Sequence, residues 1–536
     1  MPFLRILAVF LATCATVSFT PGARGQVRMP KIFGDGMVLQ RQKPVKIWGV
    51  SAPGSKIEVS FGGRAKAAIA GTDGKWSLYL DAMEASSKPA EMRVSQNGKN
   101  ALKFSDVLVG EVWIAAGQCN MEMPLADSAE YKKSADEYAS EAVRIIKIGG
   151  AADSPQTDVK SPCAWNKAGR ESAEHSSAAG MNFAVALRRA MNVPVGLIQL
   201  SDDSAATGAW LPQADPADGA RAQTSYVKER AEISAADANA KTSADKANPQ
   251  ASQTVANVAQ PDADARRNAQ KNAQGAEGQK SAAQNQNSKK AGQNAQGVRK
   301  AGGAAPCALY NARVAPIAGY SARGAVIWFG EADAMEPKYA QAFETAYPAL
   351  ISSWRKAWSD ESLFFVCAQL SGFENKFDWP SARWKQFLAC ESLPNASIVN
   401  TIDLGERGNI RPKRKAEVGE RLANSALKKL YGKKEAKGSY PKPSLVSYKE
   451  DGAEVQFRLD GKKLAGRGAP RGFEVKIGDS WKKARAEIRG NIAFVRPPSA
   501  EAKISGVRYL WSNWCGADIW LFNEDGLPAF PFINER

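Results

Sequence analysis

A single histidine, His175, is present in a chain of 536 residues. Metal centres built on several imidazoles are thereby excluded, and catalysis that needs a histidine has one candidate. None of the seven cysteines falls in a Cys-x-x-Cys pair, which excludes zinc ribbons and thioredoxin-like redox motifs. Beyond residue 19 no apolar run approaches the roughly 20 residues that a membrane span needs, so no membrane span is expected. Acidic residues are in deficit, 55 against 72 Lys and Arg, giving a net charge of +17. The basic residues are spread along the chain and never gather into one aromatic-interleaved module. That argues against a nucleic-acid partner and leaves acidic glycans, cell-surface polymers or no partner at all as readings of the charge.

What is present begins with a targeting segment. Arg5 precedes the apolar run 6–19, and Ala23-Arg24-Gly25 offers small residues at the −3 and −1 positions of a cleavage site. A signal peptide over 1–25 is expected, and with it a secreted or periplasmic protein. Export leaves Cys119, Cys163, Cys307, Cys367, Cys390 and Cys515, spaced so widely that one or two disulfides are permitted but none is required.

Along 26–105 short alternating runs are separated by Ala52-Pro53-Gly54, Gly62-Gly63 and Thr72-Asp73-Gly74, the pattern of a β-sandwich. From 106 to 432 the period changes. Apolar runs at 107–116, 144–148, 193–200, 326–329 and 363–370 read as strands. They alternate with helical spacing at 178–191, 339–358 and 416–430, which predicts an α/β domain with a mostly parallel sheet. Within it, about 216–303 is rich in Ala, Gln, Asn and Lys with almost no large apolar residue, and reads as a low-complexity surface insertion. After a Lys/Pro linker, alternation returns over 440–536 and predicts a C-terminal β-sandwich, in which Trp511, Trp514 and Trp520 are counted as core.

The stretch that carries chemistry is Gly117-Gln118-Cys119-Asn120-Met121. It follows the buried strand 107–116, and α/β proteins place their sites at the carboxyl ends of such strands. Taken alone, Cys119 is either a small buried apolar residue or a thiol nucleophile.

Several motifs resemble the sialate O-acetylesterase family. They are Met29-Pro30-Lys31-Ile32-Phe33 with Met37-Val38-Leu39-Gln40, Val109-Gly110-Glu111-Val112-Trp113 leading into the Cys119 stretch, and Val193-Pro194-Val195-Gly196-Leu197-Ile198. Leu309-Tyr310-Asn311 with Ala315-Pro316, Gly330-Glu331, and Asp525-Gly526-Leu527-Pro528-Ala529 complete the set. The resemblance implies an SGNH-hydrolase-like domain, flavodoxin-like and three-layered α/β/α around a parallel sheet, flanked by the two β-sandwiches. It also implies removal of O-acetyl groups from sugars or glycans, with no cofactor and no metal.

The same resemblance brings out four substituted blocks. The nucleophile, Ser in the family, reads Cys119. The oxyanion glycine falls at Asp203, followed by Ser204, and Asp202 adds a second carboxylate nearby. The oxyanion Asn reads Asp333, an acceptor in place of a donor. The family's Asp-Ile-His-Pro reads Asn409-Ile410-Arg411-Pro412, so Arg411, whose guanidinium stays protonated, occupies the position of the base. Gln118, Asn120 and Glu331 are expected to line the site. His175 lies in a polar loop, outside the motif that would deliver a catalytic histidine.

Three functional readings follow. One is an esterase fold with little or no hydrolysis left, a pseudoenzyme. Another is an active esterase or acyltransferase using Cys119, its thiolate favoured by Arg411. The third is a non-catalytic glycan-binding surface protein.

Overall fold

The computed structural model describes residues 25–131, 138, 140–213, 304–335, 343–499 and 502–536. The expected signal peptide, apart from Gly25, and the expected insertion at 216–303 lie outside the described residues.

The strand 107–116 is the axis of the molecule. It is the second half of β7 (Lys99–Gly117), and every position of 107–117 is buried. Burying side chains such as Val112, Trp113 and Ile114 stabilises by about 1.5–3 kcal/mol each, which favours a central place. The N-terminal unit comprises β1 (Val38–Gln40), β2 (Val45–Val50), β3 (Lys56–Phe61), β4 (Arg64–Ile69), β5 (Lys75–Leu80) and β6 (Ser86–Gln96). There β6 pairs antiparallel with β3 and with the first half of β7, while β2 and β5 form a separate antiparallel pair. One continuous chain segment thus serves two sheets, and the β unit and the α/β unit share a single apolar core.

Beyond β7 the chain adds β8 (Ser140–Lys147), β9 (Asn166–Ala168), β10 (Val195–Gln199), β11 (Gly324–Trp328), β12 (Phe364–Ala368) and β13 (Ala396–Val399). The order across the sheet is β13-β12-β11-β7-β10-β8-β9, parallel except for β9. The parallel sheet agrees with the sequence reading, but its order corrects the flavodoxin-like expectation. Flavodoxin-type sheets run 2-1-3-4-5, whereas here the third parallel strand, β10, lies between the first and the second. The five residues of β10 are all buried and suit a place between two parallel strands, while β8 has the short antiparallel β9 on its other side.

Two helix pairs cover this sheet. The first is α3 (Ala178–Met191) on α7 (Lys415–Lys429), and the second is α5 (Phe343–Trp358) on α6 (Trp379–Glu391). Short helices α1 (Cys119–Glu122), α2 (Arg170–Glu174) and α4 (Glu331–Ala334) sit in the connections. The α3–α7 crossing depends on Gly419, where an added Cβ would lie 2.4 Å from Asn182 Cβ and 2.7 Å from the Phe183 backbone nitrogen.

Toward the C-terminus, Lys442–Lys449, Gly452–Arg458, Ile492–Arg496 and Arg485–Arg489 form one four-stranded antiparallel sheet. Ser480–Lys483, Phe473–Ile477, Gly506–Tyr509 and Phe532–Glu535 form another. Val455, Phe457, Val475, Val495 and Tyr509 belong to an apolar cluster separate from the main core. Trp520 is buried in it, whereas Trp511 and Trp514 are half-buried. Cys119, Cys163, Cys307, Cys367, Cys390 and Cys515 are all unbonded. Among the described residues no helix is long and apolar enough to cross a membrane.

Candidate functional site

The site forms where the carboxyl ends of β7 and β11 meet. Gly117 permits the meeting, because a Cβ there would lie 2.2 Å from the Trp328 carbonyl oxygen. Gln118 then turns the chain. Its backbone N–H donates to the Trp328 carbonyl at 2.9 Å, and its side-chain Oε1 accepts from the backbone N–H groups of Gly330 and Ala332 at 3.0 and 3.1 Å. Cys119 opens α1 and is 2% exposed.

A paired polar layer lies around Cys119. Asn120 donates through Nδ2 to Glu331 Oε1 at 2.6 Å and to the Ile410 carbonyl at 2.9 Å, while its Oδ1 accepts from Lys415 Nζ. Asn120 therefore links Glu331, at the start of α4, to Lys415, at the start of α7. Lys415 is fully buried, its Nζ 4.6 Å from the centroid of the Trp328 ring. Asp333 is fully buried as well. Its carboxylate accepts from Gln118 Nε2 at 3.0 Å, from Thr207 Oγ1 at 2.9 Å, and from the Thr207 backbone N–H at 3.1 and 3.2 Å to its two oxygens.

The protonation of this layer follows from its burial. Glu331 Oε2 is buried without a hydrogen-bond partner, and ionisation there is disfavoured. Burial pushes the Glu331 carboxyl up to about 7, against the opposing pull of Asn120 and Lys415. Burial likewise brings Lys415 down to about 7, opposed by Cys119 and Glu331. For Cys119, burial first and Glu331 second drive the thiol well above its ordinary range, outweighing Arg411 and Lys415. Arg411 does pull the Cys119 thiol down, but desolvation exceeds the pull of a half-exposed guanidinium.

The rim is built differently. Arg411 Nη2 donates to Asp203 Oδ2 at 2.5 Å, with side chains 37% and 53% exposed. Burial lowers Arg411, yet Cys119 and Asp203 outweigh it and hold the guanidinium above its ordinary range. Asn409 shapes the turn that presents Arg411. Its Oδ1 accepts from the Arg411 backbone N–H at 3.0 Å, and its Nδ2 donates to Glu406 Oε2 at 2.8 Å and to the Arg411 carbonyl at 2.9 Å. A cleft of about 500 Å³ opens beside this rim, lined by Met123, Asp127, Ser128, Asn409, Arg411 and Lys413.

Comparison with known proteins fits this geometry. Residues 303–428, which include Glu331, Asp333, Arg411 and Lys415, match the family model for carbohydrate esterase, sialic acid-specific acetylesterase. The chain is 23% identical to the sialate O-acetylesterase of Rattus norvegicus, with 92% of this chain and 91% of that protein covered. To the Mus musculus sialate O-acetylesterase it is 22% identical, over 99% of this chain and 98% of that one. A crystal structure of a carbohydrate acetylesterase from Xanthomonas citri superposes with a TM-score of 0.75 at 27% identity, covering 95% of this chain and 99% of that one. The chain thus carries a region that matches the carbohydrate esterase model and resembles sialate O-acetylesterases along nearly its whole length.

In the structure, Gln118, Cys119, Asn120, Glu331 and Asp333 come together. Asp203 and Arg411 meet as an ion pair. Asp202 turns aside to Arg313 Nη2 at 2.6 Å, and the Ser204 backbone N–H donates to Asp202 Oδ1 at 3.3 Å. His175 is not brought in. It follows α2 with its side chain 74% exposed, 3.7 Å from Glu174. Sequence reasoning missed Lys415 and Thr207. Lys415 falls in step with Val418, Gly419, Leu422 and Ala426 on the buried stripe of α7, and a lysine on an inward stripe is the signal that marks it. Thr207 gives no such signal, since its role depends on a backbone N–H meeting a distant carboxylate. Among the described residues no group of three metal-ligating side chains occurs.

Proposed function

We propose that this chain is an exported carbohydrate-esterase-family protein that retains the esterase architecture and has lost ester hydrolysis. In this reading an SGNH-type domain at 106–432 lies between β-sandwiches at 26–105 and 440–536, and binds acetylated sugars in the cleft beside Arg411 without cleaving them. Attack on an acetyl ester requires a nucleophile that can lose its proton, a base to take it, and donors aimed at the developing oxyanion. Cys119 is buried and held in its thiol form. At the position of the base stands a permanently charged donor, and at the position of an oxyanion donor stands a carboxylate. The observation that carries the reading is the bond between these two, Arg411 to Asp203 at 2.5 Å, which occupies both positions at once.

A second reading, hydrolysis through Cys119, is favoured by one feature. Glu331, with its carboxyl near 7 and one oxygen unpartnered, has the proton affinity of a base that could activate water. Acetate release from O-acetylated sialic acid by the wild type and by Cys119→Ala separates the two. Equal, background rates are expected. A wild-type rate well above background that Cys119→Ala abolishes would establish the thiol reading instead.

A further inference from the structure

The outward face of the β2–β5 pair carries a second set of groups suited to a ligand. Successive strand residues point to opposite faces. Trp76, Leu78 and Leu80 of β5 are buried, so Lys75, Ser77 and Tyr79 face outward. Val45, Ile47 and Gly49 of β2 are buried, so Lys46, Trp48 and Val50 face outward. The register sets Lys46 opposite Tyr79, Trp48 opposite Ser77, and Val50 opposite Lys75. Two aromatic rings and two lysines thus share one small surface, where Tyr79 is 55% exposed and Val50 38%.

This surface is also concave. Hollows of about 800 Å³ and 310 Å³ adjoin through Lys46. The larger is walled by Arg28, Trp48, Lys75, Trp76 and Asp158, and the smaller lies beside Tyr79. Lys46 Nζ stands 5.8 Å from the centroid of the Trp48 ring. Carboxylates offset part of this charge: Lys75 Nζ lies 3.1 Å from Asp73 Oδ2, in an exposed pair whose carboxylate an incoming anion can replace. Asp158 is engaged by the backbone N–H groups of Lys31 and Val159, and Asp360, in the smaller hollow, pairs with Lys43 at 2.7 Å.

We propose that the β2–β5 face is a binding surface for an acidic polysaccharide, separate from the cleft beside Arg411. Pyranose rings present flat C–H faces that stack on Trp48 and Tyr79, and carboxylates or sulfates spaced along the polymer meet Arg28, Lys46 and Lys75. Duplex nucleic acid fits less well, because holding it at physiological salt takes more phosphate contacts than this trough supplies. The proposal rests on the proposed kinship with carbohydrate esterases and on this surface, and it holds whether or not the Cys119 site hydrolyses esters.

Affinity electrophoresis of the full chain in gels containing alginate, dextran sulfate or neutral dextran tests it. Retardation by alginate, by dextran sulfate or by both is expected, with none by dextran, and the stronger of the two identifies the acidic group preferred. Lys46→Ala with Lys75→Ala, and separately Tyr79→Ala, should each weaken retention about tenfold. Added salt should weaken retention by the wild type. Trp48 packs on Phe33 at 4.7 Å between centroids, so its removal risks the fold. The lysine pair and Tyr79 therefore carry the test, with unchanged thermal unfolding as the control. No retardation by either acidic polymer, equal retardation by dextran, or retention unchanged in the lysine variant would overturn the proposal. So would loss of binding in Cys119→Ala, or binding to duplex DNA tighter than to either polymer.

Discussion

Floor and rim of the site around Cys119 differ in how their polar groups are held. On the floor, Gln118, Asn120, Asp333 and Lys415 are buried and bonded to one another or to backbone across β7, β11 and α7. On the rim, Asp203 and Arg411 meet largely in solvent. A buried network is intolerant, since removing one member strands the others without partners. An exposed pair is tolerant, because water replaces either partner. Change at the rim should therefore have little effect on the fold, whereas the floor is bound to the fold itself.

The comparison breaks most severely at the helix crossing that holds the floor. Gly419→Ala forces a Cβ into the Asn182 side chain and the α3 backbone, and should destabilise by about 3 kcal/mol in urea unfolding, from overpacking that displaces Lys415. If the loss is under about 1 kcal/mol, the crossing does not fix the floor.

The floor should also show a pH signature. Glu331 is raised from 4.5 to about 7, so its folded form keeps a proton that the unfolded chain releases, and its contribution is lost as pH rises from 4.5 to 7. Lys415 is lowered from 10.5 to about 7, so its contribution is present above 10.5 and lost as pH falls toward 7. Together they place a stability minimum near neutrality. Glu331→Gln should remove the acid-side slope, about 3 kcal/mol over that window, measured by chemical denaturation at several pH values. An unchanged slope would mean that Glu331 is ionised throughout.

The rim should respond least. Arg411→Ala should alter unfolding free energy by less than about 1 kcal/mol, and by less still in high salt. A larger loss would place the Arg411–Asp203 pair with the floor.

The two regions were not equally legible in the sequence. Apolar periodicity located the central strand and the α3 helix, because burial on a parallel sheet leaves an unbroken hydrophobic run and burial of one helix face leaves a 3.6-residue stripe. α6 escaped, since its inward face carries Arg383 and Gln386, which break the stripe. The strand order escaped too, because it depends on which strands tolerate an edge. At the site, the substituted blocks named Cys119, Asp203, Asp333 and Arg411, but position along the chain does not reveal partners. Two carboxylates that read alike proved unlike. Asp333 is saturated by Gln118 and Thr207 in the interior, and Asp203 is paired with Arg411 at the surface.

The central claim is that substitution of the reacting positions abolished hydrolysis on an otherwise intact scaffold. Rebuilding those positions tests it most directly, with Cys119→Ser, Asp203→Gly, Asp333→Asn, Asn409→Asp and Arg411→His combined in one chain and acetate release measured beside the wild type. The account predicts a wild type at background and a rebuilt protein that gains at least about a hundredfold, in line with what a general base and oxyanion donors contribute. A rebuilt protein that folds with unchanged thermal stability yet stays at background would contradict it.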